Sequence, residues 1–110
     1  MRKPNVQLLS EVQHAILSNP AAFSIEGCDT DVMGFAVAAA GLNPRAVDCY
    51  TEARTLLRVT AGQRDALCLL HLWPRQFRRR FEPEPSNKLE LKRNAQIAAA
   101  RVEYFMATGQ

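Results

Sequence analysis

No run of apolar residues in this chain approaches the roughly 18 that a membrane-crossing helix needs. The first residues, MRKPNVQLLSEVQHAIL, begin basic and turn mixed polar within a few positions. They lack the apolar centre and the small-residue cleavage site of a secretory leader, so the expected location is the cytoplasm, with no membrane partner. Cysteine is scarce as well. Cys28, Cys49 and Cys68 are odd in number and include no close pair, which fits reduced thiols in that compartment better than a disulfide framework. No segment alternates apolar and polar residues long enough to predict a strand, and no internal repeat is visible.

What remains reads as helix. A chain of 110 residues makes one domain, 1–110, and at this size a core forms without added metals or crosslinks. Its 47% hydrophobic residues argue against wholesale disorder. Asn5 can cap a first helix to Ser18, striped by Leu8, Leu9, Val12, Ala15 and Ile16, and Asn19-Pro20 stops it. Asp29, Thr30 and Asp31 offer caps for a second helix. Its run VMGFAVAAAG is apolar on nearly every side, as a helix at the middle of a bundle would be. Gly41 supplies its left-handed stop, and Gly34 is expected to let neighbouring helices approach. Asn43-Pro44 predicts a third helix ending near Arg58–Val59.

The stretch Thr60–Phe81, TAGQRDALCLLHLWPRQFRRRF, organises the rest. Thr60 with Gln63 has capping-box spacing, and the helix it opens should run to Trp73-Pro74. A short fifth helix then continues from Pro74 to Phe81. Residues 82–87 are a proline-rich connector. Asn87 with Glu90 repeats the capping-box spacing ahead of a last helix, striped by Leu91, Ala95, Ala98, Val102 and Phe105 and closed by Gly109. The fold class is all-α, a compact bundle of five to six helices, with the second helix at its centre.

Few residues suggest chemistry. Cys68 and His71 are three apart on the fourth helix, yet a zinc site needs four ligands and no second short-spaced pair exists. Cys68 reads better as a small buried hydrophobe, and no glycine loop of the oxyanion kind supports a Cys–His nucleophile. Glu26, Asp29 and Asp31 with Asp48 or Glu52 form an acidic cluster, but the two aspartates sit where a helix starts and calcium-loop spacing is missing. No catalytic, cofactor-binding or metal-binding set is nominated, and an enzyme is not expected. Trp73, at a helix junction, should fill the core with its indole N–H on a carbonyl.

Charge is more informative. Residues 1–53 carry three basic groups against six acidic, and residues 54–110 carry eleven against five. Such asymmetry favours an acidic partner for the second half. In a helix opened by Pro74, Arg75, Arg78 and Arg79 share one side while Phe77 and Phe81 lie a turn apart on another. The guanidinium fork suits carboxylate or phosphate. The expected contact surface is Arg75, Arg78, Arg79, Arg80, Lys88, Lys92 and Arg93, with Arg58 and Arg64 in support. Its leading partner is a protein. Nucleic acid is the alternative, although nothing here resembles a helix-turn-helix reader, and a second copy of the chain could pair through an exposed apolar strip.

On these residues the chain resembles a loose group of small helical proteins of bacteria and their phages. That group shares a cysteine-and-glycine segment before a Gly-Trp-Ala helix, a Trp-Pro after an apolar helix, and Arg-Ile/Val-x-x-Phe before Thr-Gly near the C-terminus. The matching residues are Cys28 and Thr30 with Gly34-Phe35-Ala36, then Leu67 to Trp73-Pro74 with Phe77, then Arg101-Val102-Glu103-Tyr104-Phe105 with Thr108-Gly109. Phe35 replaces the usual tryptophan, and a second cysteine common in that segment is missing. The resemblance implies an all-helical fold and brings no established activity.

Overall fold

Four of the helices begin where a side chain accepts N–H groups that the first turn leaves bare. The computed structural model describes residues 3–110; Met1 and Arg2, the latter counted among the N-terminal cations, lie outside the described residues. Asn5 Oδ1 accepts Leu8 N at 3.1 Å to start α1 (Val6–Ser18). Asp31 Oδ1 accepts Met33 N at 2.8 Å and Gly34 N at 3.3 Å to start α2 (Val32–Ala39). Thr60 and Gln63 complete both halves of their box at the head of α4 (Ala61–Cys68). Asn87 Oδ1 takes Glu90 N at 2.9 Å to open α6 (Lys88–Thr108). There the Glu90 carboxylate reaches back to Ser86 N and Oγ rather than to Asn87, so only half of the expected box forms. Between these lie α3 (Cys49–Leu57) and the single turn α5 (Arg75–Arg78), neither with a side-chain cap. Among the described residues there is no strand, and the fold is an all-α bundle of six helices.

The layout follows from the apolar stripes. Leu9, Val12 and Ile16 of α1 are buried against α6, which contributes Ala98, Val102 and Phe105. Gln13 Nε2 adds hydrogen bonds to Ala99 O at 3.0 Å and Glu103 Oε2 at 3.1 Å across that seam. Helix α2 touches α1, α3 and α4, and buries Val32, Met33, Ala36 and Val37 at the centre. It is not apolar to solvent-free depth on every side: Ala38 and Ala39 are exposed. Gly34 admits a loop rather than a helix. A methyl there would collide with the backbone of Cys28 and Asp29, so the chain entering α2 folds back directly onto it.

Three helix boundaries differ from expectation, each for a tertiary reason. Asn43 does accept a backbone N–H, from Arg45 at 3.0 Å, but the turn it starts is not propagated. Helix α3 begins only at Cys49, which is crosslinked to Cys28 beside the entry to α2. Helix α4 stops at Cys68, short of Trp73, and Leu70–Leu72 follow as one 3-10 turn. The carbonyls left bare by that stop are taken by other elements. Trp73 Nε1 donates to Leu67 O at 3.0 Å, and Arg101 Nη2, from α6, donates to Ala66 O at 2.9 Å. Trp73 thus plugs the core, as its place at a junction predicts. The fifth helix closes after one turn at Arg78, leaving Phe81 beyond it but still buried.

The cysteines also correct the sequence reading. Cys28 and Cys49 are disulfide-bonded, with Cα atoms 6.1 Å apart and 21 residues between them in sequence. Cys68 is free and buried. Spacing along the chain carried no sign of the pair, because α2 must first fold back on α3 before the two meet. Closing a loop of this length contributes about 3 kcal/mol by restricting the unfolded chain. Reduction, or the pair Cys28→Ser and Cys49→Ser, should therefore lower the unfolding free energy by about 3 kcal/mol. Urea titrations with and without dithiothreitol test this, and identical midpoints would show that the bond is not formed.

Candidate functional site

The arginine-rich turn rests on aromatic packing. Phe81 meets the Trp73 ring edge-on at 5.3 Å and the Phe23 ring at 6.2 Å, while Phe77 meets Tyr104 of α6 at 5.5 Å. Just beyond, Asn94 brackets the Glu82 backbone, accepting from its N–H at 2.9 Å and donating to its carbonyl at 2.7 Å. Residues 77–82 therefore run back along α6 from Tyr104 to Asn94, about 15 Å at 1.5 Å per residue.

With Phe77 and Phe81 turned inward, Arg75, Arg78, Arg79 and Arg80 are exposed. Lys88, Lys92 and Arg93, in the first two turns of α6, are exposed too. Salt bridges among the described residues join Arg45 to Asp29 at 3.0 Å and Arg64 to Asp65 at 3.1 Å, and involve none of these seven cations. The nearby carboxylates have other partners. Glu82 Oε1 accepts Glu84 N at 3.1 Å, and the hydrogen bonds from Ser86, backbone first, hold the Glu90 carboxyl below its ordinary range, with a smaller pull from the Arg93 charge. Arg78 Nη1 donates to His71 O at 3.1 Å, tying the turn to the 3-10 segment before it.

Two expected supporters stand apart. Arg64 pairs with Asp65 and lies over the Tyr50 ring, 5.8 Å from its centroid. Arg58 caps α3 in the left-handed region, φ 56° and ψ 47°, beside Lys3 and Thr60.

The candidates for chemistry separate. Cys68 ends α4 while His71 lies in the following 3-10 turn. Burial, then the charges of Asp31 and Asp65, pushes the Cys68 thiol up to about 12, so its reactive thiolate is not populated at neutral pH. Among the acids, Asp29 pairs with Arg45, Asp48 accepts Thr51 Oγ1 at 3.0 Å, and Asp31 caps α2. Among the described residues, no group of three or more His, Cys, Asp or Glu side chains gathers where a metal ion could be held.

Two buried charges had no clear signal in the sequence. Arg101 is 0% exposed, bonded through Nη2 to Ala66 O and to Gln110 O at 2.6 Å, with Nε and Nη1 buried and unpartnered. Burial lowers its guanidinium to about 10, still cationic at neutral pH. Asp31 is 2% exposed. Burial pushes its carboxyl up to about 7, against the bonds from Met33 and Gly34 that favour the anion, and Asp29 adds a smaller push upward. Compared with protein-family models, with curated proteins and with solved structures, the chain matches none.

Below pH 3.8 Asp31 is protonated whether the chain is folded or not. Between 3.8 and about 7 the unfolded chain ionises it first, so stability falls as pH rises through that window and levels off above it. Asp31→Asn keeps the capping oxygen and removes the buried charge. It should raise stability at pH 8 by on the order of 2–4 kcal/mol and flatten the pH profile, as measured by thermal melts from pH 4 to 8. Arg58→Gly relieves a left-handed side chain and should stabilise by about 1 kcal/mol in urea unfolding; a loss of stability would show that the Arg58 side chain holds the turn.

Proposed function

We propose that this chain is a non-enzymatic interaction module that docks on an acidic surface of another protein. The contact is made by Arg75, Arg78, Arg79, Arg80, Lys88, Lys92 and Arg93. The supporting observation is that all seven are exposed and none forms a direct salt bridge among the described residues, Arg93 alone acting at longer range on Glu90, while the aromatic side chains beneath them are buried. A rigid base with unpaired guanidinium groups suits charge-assisted bonds to carboxylates, and the Phe and Trp packing limits the order lost on docking.

A protein is favoured over nucleic acid because Trp73, Phe77 and Phe81 face inward, leaving no stacking platform for unpaired bases. The single turn α5 is also too short to lie along a major groove. The Cys28–Cys49 bond is of the kind that persists in oxidising compartments, so the cysteines no longer support a cytoplasmic location. Among the described residues, no helix is long and apolar enough to cross a membrane.

The double variant Arg78→Glu, Arg79→Glu should keep its thermal midpoint and lose a specific bound protein, with affinity reduced roughly tenfold or more. Affinity purification of both forms after nuclease treatment, with mass spectrometry of the eluates, measures this. If the same substitutions instead abolish a gel shift that falls steeply with salt, nucleic acid is the partner. An unchanged eluate and no gel shift would remove this surface from consideration.

A further inference from the structure

A second cationic feature lies away from that surface. Asn5 donates through N to Leu57 O at 2.8 Å and through Nδ2 to Leu56 O at 3.1 Å, which lays Lys3 and Pro4 against the end of α3. Together with the start of α4 they enclose an open cleft of about 850 Å³. Lys3, Arg54 and Arg58 line it beside Thr51 and Thr55, whose hydroxyls donate to Asp48 Oδ2 and Thr51 O, and among the described residues no carboxylate is part of the lining.

These cations are not explained by the helix end they occupy. Positive side chains commonly satisfy the last carbonyls of a helix. Here Arg54 O takes Val59 N at 3.2 Å, Thr55 O takes Arg58 N at 3.2 Å, and Asn5 takes Leu56 O and Leu57 O. The final carbonyls of α3 are thus filled without them. Arg54 Nε is tied to Val59 O at 3.3 Å, which fixes the stem and leaves the two terminal nitrogens as a fork for an outside acceptor. Arg58 sits on the rim in a left-handed conformation that glycine would adopt more easily. None of the three is ion-paired among the described residues. A cleft lined by one sign of charge concentrates the opposite one.

We infer that this cleft binds a small phosphorylated compound, a phosphomonoester or diphosphate whose remaining portion is aliphatic. Two arginines and a lysine match a multiply charged oxyanion. Among the described residues no aromatic side chain lines the cleft to stack on a nucleobase, whereas Pro4 and Val59 give an aliphatic chain something to lie against. Gln63 Nε2 meets Gly109 O at 3.4 Å, placing the cleft at the C-terminal end of α6, roughly 30 Å along that helix from Lys88. No residue lining the cleft belongs to the proposed docking surface.

The test is an amide chemical-shift titration of the full chain at low salt, with inorganic pyrophosphate and with glycerol phosphate as probes. Saturable one-to-one binding is expected, with shifts centred on residues 54–60 and weakened by added salt. Arg54→Gln and Arg58→Gly should each weaken it roughly tenfold or more. Since Arg58→Gly is expected to fold at least as stably, its loss of binding would not reflect unfolding. Absence of saturation up to about 10 mM overturns the inference. So do shifts centred on Arg75–Arg93, affinity unmoved by both substitutions, or tighter binding of a poly-glutamate peptide than of either phosphate.

Discussion

The broken end of α4 is the constraint on which the rest of this bundle depends. A helix that stops inside a core leaves carbonyls that water cannot reach, and each such group left unpaired costs about 1–3 kcal/mol. Ala66 O and Leu67 O are those groups, and Arg101 and Trp73 are their partners. The first bond sets the position of α6 against α4. The second fixes the indole on which Phe81 packs, and Phe81 in turn decides which way the arginines beside it point. Arg101 makes this an expensive solution, because two of its nitrogens are buried without acceptors. Burying a cation is tolerated when the alternative is to bury bare carbonyls at the same place.

How much of this the sequence announces depends on the range of the interaction. Caps are local, so Asn5, Asp31, Thr60 and Asn87 could be read directly, and so could the stops at Asn19-Pro20, Gly41 and Gly109. Helical periodicity marked most of the core, although Leu89 at the head of α6 is 59% exposed. Boundaries that hang on distant partners were not legible. The late start of α3 goes with a crosslink across 21 residues, and the early stop of α4 with a guanidinium 35 residues on. Arg101 is the sharpest instance: one more arginine in a basic half, it is the largest fully buried side chain among the described residues.

Charge shows the same division. The excess of positive groups after residue 53 was plain by counting, but their allocation was not. Arg101 goes to the core, Arg64 to Asp65 and the Tyr50 ring, and Arg54 and Arg58 to a cleft with Lys3. Arg75 and Arg78 on α5, Arg79 and Arg80 just past its end, and Lys88, Lys92 and Arg93 in the first turns of α6 are left exposed. Residues of the three sequence motifs around Gly34, Trp73 and Arg101 have structural roles of the same kind. Gly34 admits a backbone, Thr30 bonds Ser24, Phe77 meets Tyr104, and Arg101 and Trp73 close α4.

The seam between α1 and α6 joins the two ends of the sequence, with Gln13 reaching Ala99 and Glu103 some 90 positions away. In synthesis α1 precedes α6, and although α2 packs on α1 as well, the side of α1 that meets α6 stays uncovered until α6 has been made. This seam therefore closes late, through one long-range docking step, and the apolar side of α1 is open to self-association in the interval before α6 is made.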